Sequence, residues 1–504
     1  MNKKTFRHWT LSRRQLLTAA VGAGAAISTS TLFSQQSASS SQNTIVFTHT
    51  TIVTNDTNRT SMLDVALAVQ GDSIAAIGET DEILQRFPQA QVIDGRGKAI
   101  MPGLINCHAH LDATIARGFN EDFGFPNSAQ IPVRPSSLLS KEETTLMAVV
   151  GALEAIRCGT TTLVENVSNI ADDAEALAST GLRWVFAESI RDSENVAGPM
   201  SHANLPNAVA PTFSERLLDE GMQRVEDLHS AWHGKNNGRI SVFPAAALPE
   251  TSSPKLLKAV RDFADKHDLG YTIHLTQSQP EVDFMLKFHG MRPATYLNRH
   301  GFLGPRLFAA HCRYVDKEEI ALLGNAKATI THQAAMAANR GVSPPIPALR
   351  DAGCTIANGT DNNNNDMLKV MRVAMLTERI KRNDEIPGLL PQPEDIFDDT
   401  VRGGAKAINQ EARMGSLEVG KKADLIVLNT QKAHLVPSGR ILSAWLHNGQ
   451  PSDVESVMVN GEFIMRDHKV LTMDEESIIA EANKVGQRIW GTVLKDGPIK
   501  LPRL

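Results

Sequence analysis

Apolar positions follow two different spacings along the chain. Over residues 44–99 they come in short runs, at 44–47, 65–69 and 73–77, broken by turn residues such as Gly71-Asp72. That texture predicts short strands joined by tight turns. It returns at 423–428 and 454–459, and Asn460-Gly461 ahead of Phe463 is a hairpin signal. Two like segments at opposite ends predict one small composite β-sandwich, built from 44–101 and 413–475. Between them, over 102–412, apolar runs alternate with helical stretches. Eight runs read as strands: 103–108, 161–165, 184–188, 240–246, 271–275, 307–311, 328–332 and 354–360. Helical spacing follows most of them, as at 142–158, and Asp316 with Glu319 forms a capping-box pair ahead of Ile320. Eight β–α units predict an α/β fold, a (β/α)8 barrel whose chemistry sits at the C-terminal ends of its strands. Residues 476–504 read as a C-terminal helix and tail.

The first 40 residues have a different pattern. Lys3, Lys4, Arg7, Arg13 and Arg14 precede an apolar run from Leu16 to Ile27, and small polar residues follow. This is the layout of an export signal, and Ser12-Arg13-Arg14-Gln15-Leu16-Leu17 resembles a twin-arginine signal. The expectation is a protein folded before export to the periplasm by the twin-arginine machinery, with no membrane attachment once the signal is removed. The run is short and rich in Gly and Ala for a membrane span. A net charge of -5, with no basic stripe interleaved with aromatics, gives no support to nucleic-acid binding. The four cysteines, Cys107, Cys158, Cys312 and Cys354, lie in or beside apolar runs and lack Cys-x-x-Cys spacing, so they read as buried thiols.

The first barrel strand carries Met101-Pro102-Gly103-Leu104-Ile105-Asn106-Cys107-His108-Ala109-His110. Spacing i, i+2 on a strand points both imidazoles to one face. Two imidazoles converging on one point are half a metal site; as mere packing they would be two buried rings in need of partners. Other strand ends add His274, His311, His332 and Asp361. Packing alone does not explain five strands delivering His or Asp to one barrel mouth. Three imidazoles and a carboxylate hold a divalent ion with a position left for water, and such an ion lowers the water's pKa from 15.7 to about 7.

Three motifs make the chain resemble the amidohydrolase superfamily, in the branch of atrazine and hydroxyatrazine hydrolases, S-adenosylhomocysteine deaminase and cytosine deaminase. They are the strand-one Pro-Gly-Leu-Ile-Asn-x-His-x-His-Leu, the strand-eight Gly359-Thr360-Asp361, and the return to the β-sandwich from Met414 to Val427. The resemblance implies one divalent ion, zinc first with iron or manganese as alternatives, on His108, His110, His274 and Asp361. Asp361 would also serve as base, and His311 would contact the catalytic water or the substrate. Strand four lacks the lysine of dinuclear members. Where deaminases of this branch carry a glutamate three residues after the strand-five histidine, this chain has Gln277, a neutral amide able to hold a substrate carbonyl. Gln277 therefore joins the catalytic and substrate-binding candidates. His332, Glu281, and Phe119 and Phe123 from the long loop after strand one are further substrate-binding candidates. The reading is a hydrolase of non-peptide carbon–nitrogen bonds in a small molecule, an amide, cyclic amide or amino-heterocycle, attacked by hydroxide on the ion. The alternatives are a deaminase or dechlorinase of an N-heterocycle, or a metal-retaining binding protein whose catalysis has decayed. A homo-oligomer is compatible with the resemblance.

Overall fold

The computed structural model describes residues 44–119, 121, 133–196, 205–362, 364–383 and 390–495. The export segment and Phe123 lie outside the described residues. The described residues form 18 strands. Those of the terminal segments are β1 (Thr44–Val53), β2 (Ser61–Gln70), β3 (Ser73–Glu79), β4 (Gln91–Asp94) and β5 (Lys98–Pro102). The barrel follows with β6 (Leu104–His110), β7 (Thr160–Glu165), β8 (Arg183–Ile190), β9 (Ile240–Ala246), β10 (Tyr271–Leu275), β11 (Leu307–His311), β12 (Thr329–His332), β13 (Thr355–Asn358) and β14 (Asp361–Asn362). The chain then returns with β15 (Leu425–Asn429), β16 (Val454–Val459), β17 (Glu462–Arg466) and β18 (Lys469–Val470).

The two terminal segments fold together as one hydrogen-bonded sheet, ordered β18-β17-β16-β15-β5-β1-β2-β3 with β4 added to β1. Its seam is the antiparallel pair β15–β5, which brings Leu425 opposite Pro102. The predicted hairpin turn is present between β16 and β17, with Asn460 at φ 55° and Gly461 at φ 77°, the left-handed pair a tight turn needs. A buried ion pair fastens this sheet to the barrel. Arg183 on β8 donates from Nε (2.7 Å) and Nη2 (3.0 Å) to the Asp424 carboxylate, and from Nη2 to Asn460 Oδ1 (3.0 Å). With both charges hydrogen-bonded, the desolvation cost of burying them is offset.

The second sheet is parallel and ordered β13-β12-β11-β10-β9-β8-β7-β6-β14. Its ends are two halves of one strand, the eighth run of the sequence. The first half pairs with β12 and the second with β6. Gly359 N–H donates to His332 O (3.2 Å) and Thr360 N–H to His108 O (3.0 Å), so the strand crosses from one neighbour to the other and closes the barrel. A Cβ on Gly359 would lie 2.8 Å from His108 N and 2.9 Å from His108 Cβ; only glycine lets the two backbones approach this closely.

Alternation along β6 sends Ile105 and Cys107 into the apolar layer that also holds Leu256, Leu257 and Val260 of helix Pro254–Lys266. Asn106, His108 and His110 take the other face. All four cysteines are buried and unbridged, as their apolar neighbours suggest. Helix Lys141–Arg157 starts on a Ser140/Glu143 capping box, and helix Lys317–Asn325 on the expected Asp316/Glu319 box. The C-terminal helix Glu475–Val493 packs on Lys141–Arg157 and is held by the Arg488–Glu143 pair at 2.6 Å and by Arg157 with Glu475. No helix among the described residues is long and apolar enough to cross a membrane.

Candidate metal centre

Four strand ends bring their polar side chains together. The ligand atoms of His108, His110 and Asp361, and those of His108, His274 and His311, each lie within 4.8 Å of one another. His110 Nε2 is 3.2 Å from His274 Nε2 and 3.8 Å from Asp361 Oδ1. Two nitrogens ligating one tetrahedral ion at 2.0–2.1 Å stand about 3.4 Å apart, so the pair is already at ligand spacing. His274 Nδ1 lies 2.9 Å from the Ala247 carbonyl. A carbonyl only accepts, so Nδ1 carries the proton and Nε2 offers a lone pair.

The donor set fits a cation by a second test. Neither ring nitrogen of His108 has a hydrogen-bond partner, although the ring is fully buried, and Asp361 Oδ2 is buried without one as well. Buried polar atoms are nearly always paired in a folded chain; these three are satisfied if an ion is their partner. Burial first, and the neighbouring imidazoles second, push the His108 pKa well below its usual value and that of His274 down to about 4. Both rings are therefore neutral at pH 7, the state in which imidazole ligates.

His311 lies inside the same radius but differs in what it offers. Arg313 Nη2 is 3.2 Å from His311 Nδ1. A guanidinium has no acceptor, so His311 Nδ1 accepts and the neutral ring keeps its proton on Nε2. Burial and the adjacent Arg313 hold its pKa well below the usual range. His311 is thus a neutral hydrogen-bond donor, leaving His108, His110, His274 and Asp361 as the atoms with lone pairs to give.

Backbone geometry is unusual at these positions. Thr276, His311, Cys312 and Asp361 all have positive φ, at 45°, 77°, 50° and 69°. Such conformations persist where surroundings over-determine them, and they cluster at functional sites. The determinants are visible. Gln333 Oε1 accepts from His311 N–H (3.0 Å) while its Nε2 donates to Thr331 Oγ1 (2.8 Å). Asn106 Oδ1 accepts from Thr360 N–H (3.1 Å), and its Nδ2 donates to Thr360 Oγ1 (2.8 Å).

A cavity of about 210 Å³ opens over the cluster. His110, His274, His311, Asp361 and Gln277 line it as the sequence suggests, together with Ala247, Leu248, Asn362 and Arg340. Glu281, His332 and Phe119 are not among the described lining residues. Glu281 does not reach the cavity. It is fully buried, and its two oxygens accept from Thr276 N–H (2.6 Å) and Gln277 N–H (2.8 Å), so it shapes the turn that presents Gln277. His332 is buried at the end of β12, where its carbonyl receives Gly359, and it does not line the cavity. Phe119 packs in an apolar cluster with Ile115, Met147 and Ile489, its ring 5.5 Å from that of Trp490; its partner is the C-terminal helix, which the sequence gives no reason to place there. Two arginines escape the sequence reading. Arg313 stands two residues past a strand-end histidine, which is a usable signal; Arg340 follows a short helix and has none.

Comparison with known proteins agrees with this geometry. Residues 99–464 match the model of the amidohydrolase family, and residues 66–90 match a bacterial imidazolonepropionase-like composite domain. A 5-methylthioadenosine/S-adenosylhomocysteine deaminase of Pelotomaculum thermopropionicum is 30% identical over 433 residues, covering 84% of this chain and 94% of the relative. A 5'-deoxyadenosine deaminase of Methanobrevibacter smithii is 30% identical over 427 residues, covering 83% and 92%. Among solved structures, a zinc-bound adenosine deaminase from Xanthomonas campestris superposes with a TM-score of 0.78 at 25% identity, covering 88% of this chain and 98% of its own. The zinc complex of an atrazine chlorohydrolase from Arthrobacter aurescens shares the fold, with a TM-score of 0.76 at 22% identity and coverage of 88% and 100%. The chain belongs to the amidohydrolase family.

Proposed function

We propose that this protein is a zinc-dependent hydrolase that cuts an amide-type carbon–nitrogen bond in a small N-heterocyclic molecule. The observation that carries the reading is the group of His108, His110, His274 and Asp361, whose lone pairs converge beside a cavity walled by Ala247 and Leu248. The relatives' names, deaminases of adenosine-type compounds, support hydrolysis at a carbon bonded to nitrogen. When bound, the divalent ion supplies Lewis-acid polarisation and a lowered pKa for water.

The chain's own groups divide the remaining work. Asp361, the only carboxylate among the described lining residues, accepts the proton of the attacking water and returns it to the leaving nitrogen. His311 donates its Nε2–H to the substrate oxygen or ring nitrogen that gains charge. Gln277 hydrogen-bonds the substrate but cannot cycle a proton. That separates this site from a ring deaminase with a glutamate shuttle and favours amide-type cleavage. Ring deamination is the second reading, and the relatives favour it. Incubating the zinc-loaded protein with cyclic amides and with amino-heterocycles decides between them. Mass spectrometry is expected to show a product that has gained one water without releasing ammonia. Ammonia release from the amino-heterocycles alone would support deamination. No turnover on either set would contradict a working enzyme.

We also propose that the protein is exported to the periplasm through the twin-arginine route, on the strength of Arg13-Arg14 and the apolar run behind them. Changing Arg13→Lys and Arg14→Lys together is expected to leave full-length precursor in the cytoplasm, read by immunoblot of cell fractions. Unchanged periplasmic accumulation would remove this proposal.

A further inference from the structure

The strand pair that carries His110 and Asp361 is short. β14 meets β6 only where Asp361 pairs with Ala109 and Asn362 with His110. Beyond that point the two chains part. One enters the 3-10 helix Leu111–Ala116, which Arg117 ends, and the other runs to helix Met367–Arg382. Two metal ligands on so short a ladder keep their spacing when the chain beyond each is held as well, as outer groups commonly do for metal ligands.

A carboxylate on a helix outside the ring of strands holds both. Glu154, on helix Lys141–Arg157, accepts at Oε2 from Asn365 N–H (2.8 Å) and from Asn365 Nδ2 (3.4 Å), and the same oxygen pairs with Arg117 Nη2. Asn365 is buried a few residues past Asp361, and its Oδ1 accepts from Thr360 Oγ1 (3.3 Å). Thr360 precedes Asp361 and is itself held by Asn106. A continuous chain of hydrogen bonds therefore runs from Glu154 through Asn365 and Thr360 to the strand that bears His108 and His110. Gly151, one turn earlier on the helix, allows this approach. A Cβ there would lie 2.9 Å from Leu111 Cδ2 and 3.1 Å from Asn365 Nδ2.

We infer that Glu154 is a positioning residue of the metal centre: by tying the chain after His110 to the chain after Asp361, it sets the spacing of those two ligands, which stand 3.8 Å apart from Nε2 to Oδ1. Glu154 belongs neither to the converging ligand groups nor to the described cavity lining, so it acts only through Asn365 and Arg117. The inference rests on the ligand assignment above and adds to it the group that holds two of the ligands in register.

Zinc affinity of the full chain, measured by competition with a chelating indicator well below the unfolding temperature, tests it without turnover. A carboxylate that merely fastened the helix to the barrel would change the thermal midpoint and leave zinc affinity alone. Losing a group that orients metal ligands costs about 10–100-fold in metal affinity. Glu154 acts through a further residue, so Glu154→Ala is expected to weaken zinc binding by about tenfold, the low end of that range. Glu154→Gln keeps an oxygen that can accept from Asn365 N–H and is expected to recover part of the loss. Asn365→Ala is expected to weaken binding by a similar factor, and the double variant to lose little more than either single one, because neighbours in one hydrogen-bonded chain do not add. Glu143→Gln, which breaks the Arg488 pair on the same helix, is the control and is expected to keep the unaltered zinc affinity. Unchanged affinity in Glu154→Ala overturns the inference, as do additive losses in the double variant or an equal loss in Glu143→Gln. If Glu154→Ala does not fold, unchanged affinity in Asn365→Ala overturns it instead. Absence of tight zinc binding by the unaltered protein would overturn the ligand assignment and this inference together, whereas the other contrary results remove only the role of Glu154.

Discussion

Asp361→Asn is expected to lower kcat by about 10²–10⁴-fold, the range typical of losing a positioned acid–base group. The structure gives the reason. Asp361 Oδ2 is buried without a hydrogen-bond partner, and Glu281, the acid that follows Gln277, has both oxygens bound to backbone N–H groups. Gln277 cannot carry a proton. An asparagine keeps the size of the side chain but not its basicity, and it is a weaker ligand, so metal content must be measured on the same sample. Near-normal turnover with zinc still bound would place the base elsewhere. A kcat loss without any zinc loss would isolate the proton-transfer role.

His108→Ala is expected to abolish tight zinc binding while leaving the metal-free protein folded. The ring sits at the centre of the cluster, 4.7 Å from His110, 4.8 Å from His274 and 5.4 Å from His311 between ring centroids. Without an ion, its two unpartnered buried nitrogens each cost about 1–3 kcal/mol of desolvation; removing them offsets the packing lost with the ring. The variant's thermal midpoint without zinc should therefore lie close to that of the unaltered protein. With zinc the two should diverge. A ligand at a thousand times its Kd stabilises the folded state by about 4 kcal/mol, and only the unaltered protein should show that gain. A zinc-dependent rise in the variant equal to that of the unaltered protein would remove His108 from the ligand set.

The parts of this molecule that were legible in the sequence are those set by local pattern. Strand periodicity located the barrel strands within a few residues, and i, i+2 spacing put His108 and His110 on one face. Asn460-Gly461 marked its hairpin, and Asp316 with Glu319 marked its helix start. The eighth strand read as one piece, because no local pattern shows that Gly359 and Thr360 cross from β12 to β6. Residues chosen by their chemistry alone fared worse. Phe119 is aromatic and near the first strand, yet a helix more than 350 positions later in the chain buries it. Glu281 and His332 sit near strand ends, but their roles depend on which backbone groups meet them in space. Arg340 reaches the cavity through tertiary packing, so no spacing rule singles it out. The departure at Gln277 gains a physical reading only in three dimensions, where the turn that Glu281 shapes presents it to the cavity; Gln333, which holds the left-handed His311, likewise shows its role only there.

Anomalous diffraction from crystals of the zinc-loaded protein tests the central assignment most directly. The account predicts a single zinc peak per chain, within about 2.0–2.2 Å of one nitrogen each from His108, His110 and His274 and one oxygen of Asp361, with His311 Nε2 outside ligand distance and Arg313 still on its Nδ1. Two peaks in the cavity, a peak held by His311 in place of one of the four, or no peak at the barrel mouth would contradict it.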